Sequence, residues 1–241
     1  MSWDDLPSLT NDLALGPLAG LEIDDEKAIV KMYQQLANAL CDDPPSLAFA
    51  MESADMPGGG AGYVRTLHRI DLDPREGIDE PADIDTGRWR GYLHAQFWHE
   101  FGHSQYSRQL FEPSLAVEID AQQPLEDIRA ERLLVRDYPQ SRPWLRANIL
   151  ARRSTAKWFI QLPEEDWLYE YFLSCARSYA NVLTGEEAAD IRERAPARYA
   201  QKFADLDEIV GAYAALDDPA SLEAAKLIKA LAQHLPGPCL P

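Results

Sequence analysis

Apolar residues recur at helical spacing over residues 24–41, where Ile29, Met32, Tyr33, Leu36 and Leu40 fall on one face. This predicts a first helix, ended by Asp42 to Pro45. SLAFAMES, residues 46–53, reads as a short strand, and Pro57 with GGGAG at 58–62 as a loop. No GK[ST] follows these glycines, so they are not read as a phosphate cradle. In YVRTLHRIDLDP the period changes to two. Val64, Thr66, His68, Ile70 and Leu72 alternate with Arg65, Arg69 and Asp71, which predicts one half-buried strand over 63–72, ended by Pro74. A long helix follows, capped at Asp85 or Thr86 and running to about Leu110, with Pro113 beyond it. Another opens at Pro124 and runs to about Tyr138. From Pro143 the signal is helical, over about 143–162, 165–183, 186–213 and 219–234. The pattern therefore predicts an α+β fold, mostly α, with a small sheet in the N-terminal third.

Composition narrows the setting. The chain has 241 residues, of which 46 % are hydrophobic, so a sizeable core is within reach. Its start, MSWDDLPSLT, lacks the basic residues and apolar run of a signal peptide. No stretch approaches the ~18–20 apolar residues of a membrane helix. Cys41, Cys175 and Cys239 are few, odd in number and far apart, which is not a disulfide framework. A cytoplasmic location is expected. The net charge of −17 works against binding nucleic acid or an anionic membrane, since displacing counterions needs a basic stripe. The one dense basic patch, Arg152, Arg153 and Lys157, reads as a solvated helix face. A polypeptide substrate is compatible with the charge.

Chemistry concentrates in His99-Glu100-Phe101-Gly102-His103. In a helix, residues four apart lie one turn apart on the same face. Both histidines can therefore reach one zinc ion at the ~2.0–2.1 Å of a zinc–nitrogen bond. Glu100 sits beside that face, placed to take a proton from an attacking water as general base. Leu93, Phe97 and Phe101 form a separate apolar stripe for the core, and Gly102 allows close packing. A third ligand must come from elsewhere. Six residues after His103, where one zincin subclass has a histidine, stands Gln109. Glu112, Glu118 and Asp120 fall in a proline-bounded connection read as non-helical. The acids of PLEDIRAERLLVRDY, by contrast, sit on a predicted helix, where Asp127, Glu131, Leu134 and Tyr138 share a stripe. Asp127 is the preferred ligand, with Glu131 one turn on to orient a ligand histidine from behind. Glu126 is the alternative; its i+4 neighbour is Ala130, which can orient nothing.

HEFGH on a helix, after a half-buried strand and before an acidic helix, resembles the zincin-type metallopeptidases. HEFGH together with LEDIRAE more narrowly resembles the metallopeptidase portion of bacterial and phage proteins that also carry a von Willebrand A-type domain, a group related to a cobalt-chelatase subunit. The likeness covers about residues 60–185, including YEYFLSCARSYANVL. It implies a zincin-like fold, a zinc cofactor held by His99, His103 and an acid of the LED segment, and Glu100 as base. It also implies a von Willebrand A-type partner or domain, although no DxSxS segment is present. By the same likeness residues 63–72 can pair with an extended substrate.

The expected activity is that of a zinc metallopeptidase; the alternatives are a non-catalytic zincin-fold module with structural zinc, and a metal-dependent amidase. The expected organisation is one domain over 1–241, with the sheet and metal-site helices in 1–140 and a helical part in 141–235 closing the cleft. Tyr106, one turn past His103, is a candidate oxyanion donor, though packing is the commoner use. His68 is read as a core histidine rather than a cleft residue. His94 and His234 have no partner spacing and are assigned nothing. Trp167, Tyr169, Tyr171 and Phe172 read as core.

Overall fold

A computed structural model describes residues 20–49, 61–74, 89–154, 171–172, 174–195 and 197–235. The fold is α+β and mostly helical, with one three-stranded sheet. The contacts divide it into two compact units. The first holds residues 1–105 and 143–154, the second 106–142 and 155–241.

In the first unit, helix α1 (Glu26–Leu40) buries Ile29, Tyr33 and Ala37, one residue per turn along the predicted stripe. It packs against strand β1 (Ser46–Phe49). The Gln34 side chain joins the two: its amide donates to the Pro45 carbonyl at 3.0 Å and its oxygen accepts from the Leu47 N–H at 3.0 Å. The rest of the expected strand 46–53 lies outside the described residues.

The single strand expected over 63–72 is two strands. β2 (Gly62–Val64) and β3 (Arg69–Leu72) pair antiparallel, joined by a 3-10 turn at Arg65–Leu67 and by His68 at φ 45°. The alternating pattern ran straight through the turn because Thr66 and His68 happen to keep the period. The order is β1-β3-β2, with β1 parallel to β3. β3 is thus central, and Ile70, Asp71 and Leu72 are all fully buried. Asp71, expected on a solvated face, is held by Arg69 on the same face of the strand, with Nε–Oδ1 2.7 Å and Nη2–Oδ2 3.1 Å. A bidentate arginine is what makes a buried carboxylate tolerable. His68 is not a core residue: it lies in the turn, with Nδ1 2.8 Å from the Tyr63 hydroxyl and Nε2 3.1 Å from the Asp43 carbonyl.

Helix α2 (Trp89–Tyr106) ends four residues before the expected Leu110; its expected caps lie outside the described residues. Gln96 ties it to the end of β3, accepting from the Asp73 N–H at 2.9 Å. Phe97 stacks on Tyr33 with ring centroids 4.8 Å apart. Helix α4 (Arg142–Ser154) belongs to this unit from Pro143 onward and places Trp144 edge-on to His94.

In the second unit, α3 (Ala116–Asp137) starts eight residues before the expected Pro124, which lies inside it. Glu118 and Asp120 are therefore helical, and Glu118 is buried. α6 (Ala200–Ala214) and α7 (Leu222–Ala232) pack on α3 and on each other. Of the helix expected over 165–183, the described part is helical at 171–172, then forms a 3-10 turn at Cys175–Ser178 followed by Asn181 at φ 58°. Tyr171 and Phe172 are core residues there, while Trp167 and Tyr169 lie outside the described residues. The helix expected over 186–213 is broken into α5 (Gly185–Arg194), a 3-10 turn at Ala197–Tyr199 and α6. Ala195, before Pro196, is extended, as the proline ring requires of its predecessor. Among the described residues no helix is long and apolar enough to cross a membrane.

Candidate metal centre

α2 is buried on most of its circumference. Leu93, Phe97, Trp98 and Phe101 fill the core side, and Gly102 is buried with them. His99 and His103 occupy the part-exposed remainder, and their one-turn spacing brings the imidazoles together. The ring centroids are 4.8 Å apart with planes at 83°, and one nitrogen of each ring lies within 4.8 Å of the other. Glu100 is 7 % exposed, and its Oε1 is 3.9 Å from His99 Nε2. Two nitrogen donors therefore share one face of one helical turn, with the Glu100 carboxylate beside it.

No protein-family model, curated protein or solved structure matches the chain. The chemistry of the site rests on its own residues.

The acids of α3 lie in the second unit, and their environments differ. Glu126 is 2 % exposed and saturated with donors. Ser107 Oγ donates to Oε1 at 2.6 Å, Arg129 donates from Nη2 to Oε1 at 2.6 Å and from Nε to Oε2 at 2.9 Å, and the Tyr213 hydroxyl reaches Oε2 at 3.3 Å. Both oxygens of Glu126, the alternative third ligand, are thus engaged by partners within the second unit. Asp127, one residue on, is part-exposed. Glu131 follows it by one turn and is buried. A single guanidinium meets both: Arg177 Nη1 is 2.7 Å from Glu131 Oε2, and Nη2 donates to Asp127 Oδ2 at 3.4 Å. Arg177 was missed in the sequence, yet it has a signature: it is the one charged residue in FLSCARSYANVL.

Tyr106 is engaged elsewhere than at an oxyanion. Its hydroxyl donates to Asp137 Oδ2 at 2.8 Å, and burial together with that carboxylate pushes its pKa well up. Its carbonyl accepts from Arg129 Nη2. His94, assigned nothing from spacing, is a buried structural histidine. Trp98 Nε1 can only donate, so His94 Nε2, at 3.2 Å, must be unprotonated. The ring proton is then on Nδ1, which donates to the Tyr33 oxygen at 3.2 Å. Burial lowers the His94 pKa to about 3, which keeps the ring neutral. The i,i+4 pair His94–Trp98 was the available signal.

Proposed function

We propose that this chain is a zinc-dependent hydrolase, a metallopeptidase in which His99, His103 and Asp127 hold the metal and Glu100 is the general base. The carrying observation is the one-turn cluster of two ligand-competent imidazoles and a carboxylate on α2. Two neutral histidines and one carboxylate are a donor set that catalytic zinc takes, with one position left open. Among the acids of α3, Asp127 suits the third place because Glu126 is consumed by Arg129, Ser107 and Tyr213.

Bound zinc would supply Lewis acidity, polarising a substrate carbonyl and acidifying water. Glu100 then accepts a proton from the water whose oxygen bonds to the carbonyl carbon. It returns that proton to the leaving nitrogen as the C–N bond breaks. The low exposure of Glu100 limits competition from bulk solvent for that proton. Among the described strands β2, rather than central β3, is the part of 63–72 that has a backbone edge to offer an extended substrate.

The test is metal analysis with hydrolysis of a broad peptide library. Wild type should carry one equivalent of zinc, and His99→Ala little or none. Glu100→Gln should keep zinc and lose hydrolysis by a factor of 10² or more. Absence of zinc from both wild type and His99→Ala would sink the proposal. Hydrolysis that survives in Glu100→Gln would remove Glu100 from its role.

A further inference from the structure

The second unit holds a cavity of about 290 Å³, lined by none of the residues proposed above to hold metal. Arg132, Leu133 and Arg136 line it from the last turns of α3, Asn181 from the turn before α5, and Leu216 and Asp217 from the segment after α6. Arg136 is held bidentate by Asp137, with Nε–Oδ1 2.7 Å and Nη2–Oδ2 2.9 Å. Arg132 donates from Nη1 to the Ala214 carbonyl at 2.6 Å, which fixes its guanidinium at the wall where α6 ends. That bond uses one of its five N–H donors. In a chain with 40 Asp and Glu against 23 Lys and Arg, this half-buried arginine still has no carboxylate partner among the described residues. Asp217 is exposed and makes no hydrogen bond among the described residues; Arg136 acts on it only through space. The Asn181 carboxamide likewise makes none among them, while its backbone is anchored by Arg142 Nε, which donates to its carbonyl at 2.7 Å.

We propose that this cavity binds the zwitterion of a free α-amino acid with an apolar side chain. Arg132 and the Asn181 amide donate to its carboxylate, and Asp217 accepts from its ammonium. The C-terminal end of α6, where the helix dipole is negative, borders the same wall and favours a cation. Leu133 and Leu216 give the side chain an apolar surface. Charge separates this ligand from simpler ones. A lone carboxylate or phosphate would meet Asp217 and the field of a chain with net charge −17. A lone amine would meet Arg132. A ligand that carries both charges within one small molecule places each opposite its complement. The size agrees: 290 Å³ lies at the small end of ligand pockets, roughly 300–1,000 Å³, and suits one amino acid better than a peptide.

The experiment measures binding of isotopically labelled L-leucine to the full chain by equilibrium dialysis. The competitors 4-methylpentanoate and 3-methylbutylamine each lack one of leucine's two charges. Leucine should bind saturably, and each competitor should be weaker by roughly tenfold or more, the effect of losing one charge-assisted hydrogen bond. Arg132→Gln should weaken leucine by roughly the same factor. Asp217→Asn should weaken leucine yet bind 4-methylpentanoate more tightly than wild type, a pair of opposite signs that a merely structural change would not give. His99→Ala should bind leucine as wild type does; a loss there would place the leucine on the metal centre and overturn the proposal. Absence of saturable leucine binding, or equal affinity for leucine and 4-methylpentanoate, would overturn it as well. If Arg132→Gln does not fold, the exposed Asp217 decides: leucine affinity unchanged in Asp217→Asn overturns the proposal.

Discussion

Neighbouring acids of identical chemistry have opposite fates in this chain, and the difference lies in what surrounds each carboxylate. Glu126 points into the second unit, where Arg129 is 1 % exposed and depends on it for charge balance. Removing one partner of a buried pair leaves the other charge uncompensated, at about 3–5 kcal/mol. Glu126→Ala should therefore lower unfolding free energy by about that amount in urea titration, while the folded protein keeps its zinc affinity. Asp127→Ala should do the reverse, with little change in stability and a loss of metal affinity. If Glu126→Ala folds normally and loses zinc, the ligand assignment moves to Glu126. The sequence reading preferred Asp127 for its i+4 partner. The structure separates the two acids by burial and donor count, neither of which a helical wheel contains.

At the scale of elements, departures from the expected boundaries have backbone causes. Pro124 looked like a helix start because proline suits a first turn. It sits inside α3 instead, forgoing one N–H bond in a helix secured by packing against α6 and α7. The expected strand 63–72 contains a turn that side-chain alternation could not reveal, because His68 adopts positive φ without glycine's signature. Helix α5 was legible in more detail than spacing alone used. Thr184 and Glu187 form a reciprocal capping box: the threonine oxygen accepts from the Glu187 N–H at 3.2 Å and the glutamate from the Thr184 N–H at 2.9 Å. Thr184→Ala should lower stability by roughly 0.5–2 kcal/mol, read as an earlier denaturation midpoint at unchanged slope. A midpoint equal to wild type would mean that α5 is held by tertiary contacts alone.

For the molecule as a whole, acid is the informative perturbation. His94 is buried and neutral, its pKa lowered by burial from 6.5 to about 3. The unfolded chain therefore binds a proton that the folded chain refuses between those values. A depressed histidine contributes fully above pH 6.5, and its contribution is lost progressively as pH falls toward 3. From this group alone, stability should fall by about 2 kcal/mol between pH 7 and pH 5. Urea titrations at the two pH values should show that loss in wild type and a much smaller one in His94→Gln. Equal pH dependence in both proteins would show that other groups govern acid sensitivity.

The sequence by itself determined what depends on local periodicity and residue chemistry: the α+β class, the helices around 26–40 and 89–106, and the one-turn spacing of His99, Glu100 and His103. Those features need only the 3.6-residue repeat, and side chains four apart meet whatever the rest of the chain does. Tertiary structure alone decided the central position of β3 and the burial of Asp71, the capture of Glu126 by Arg129, Ser107 and Tyr213, and the tie from Arg177 to residues 127 and 131. The last of these joins residues separated by up to 50 positions. No local pattern encodes such a pairing, because it follows from which helix faces pack and which buried charges must then be neutralised.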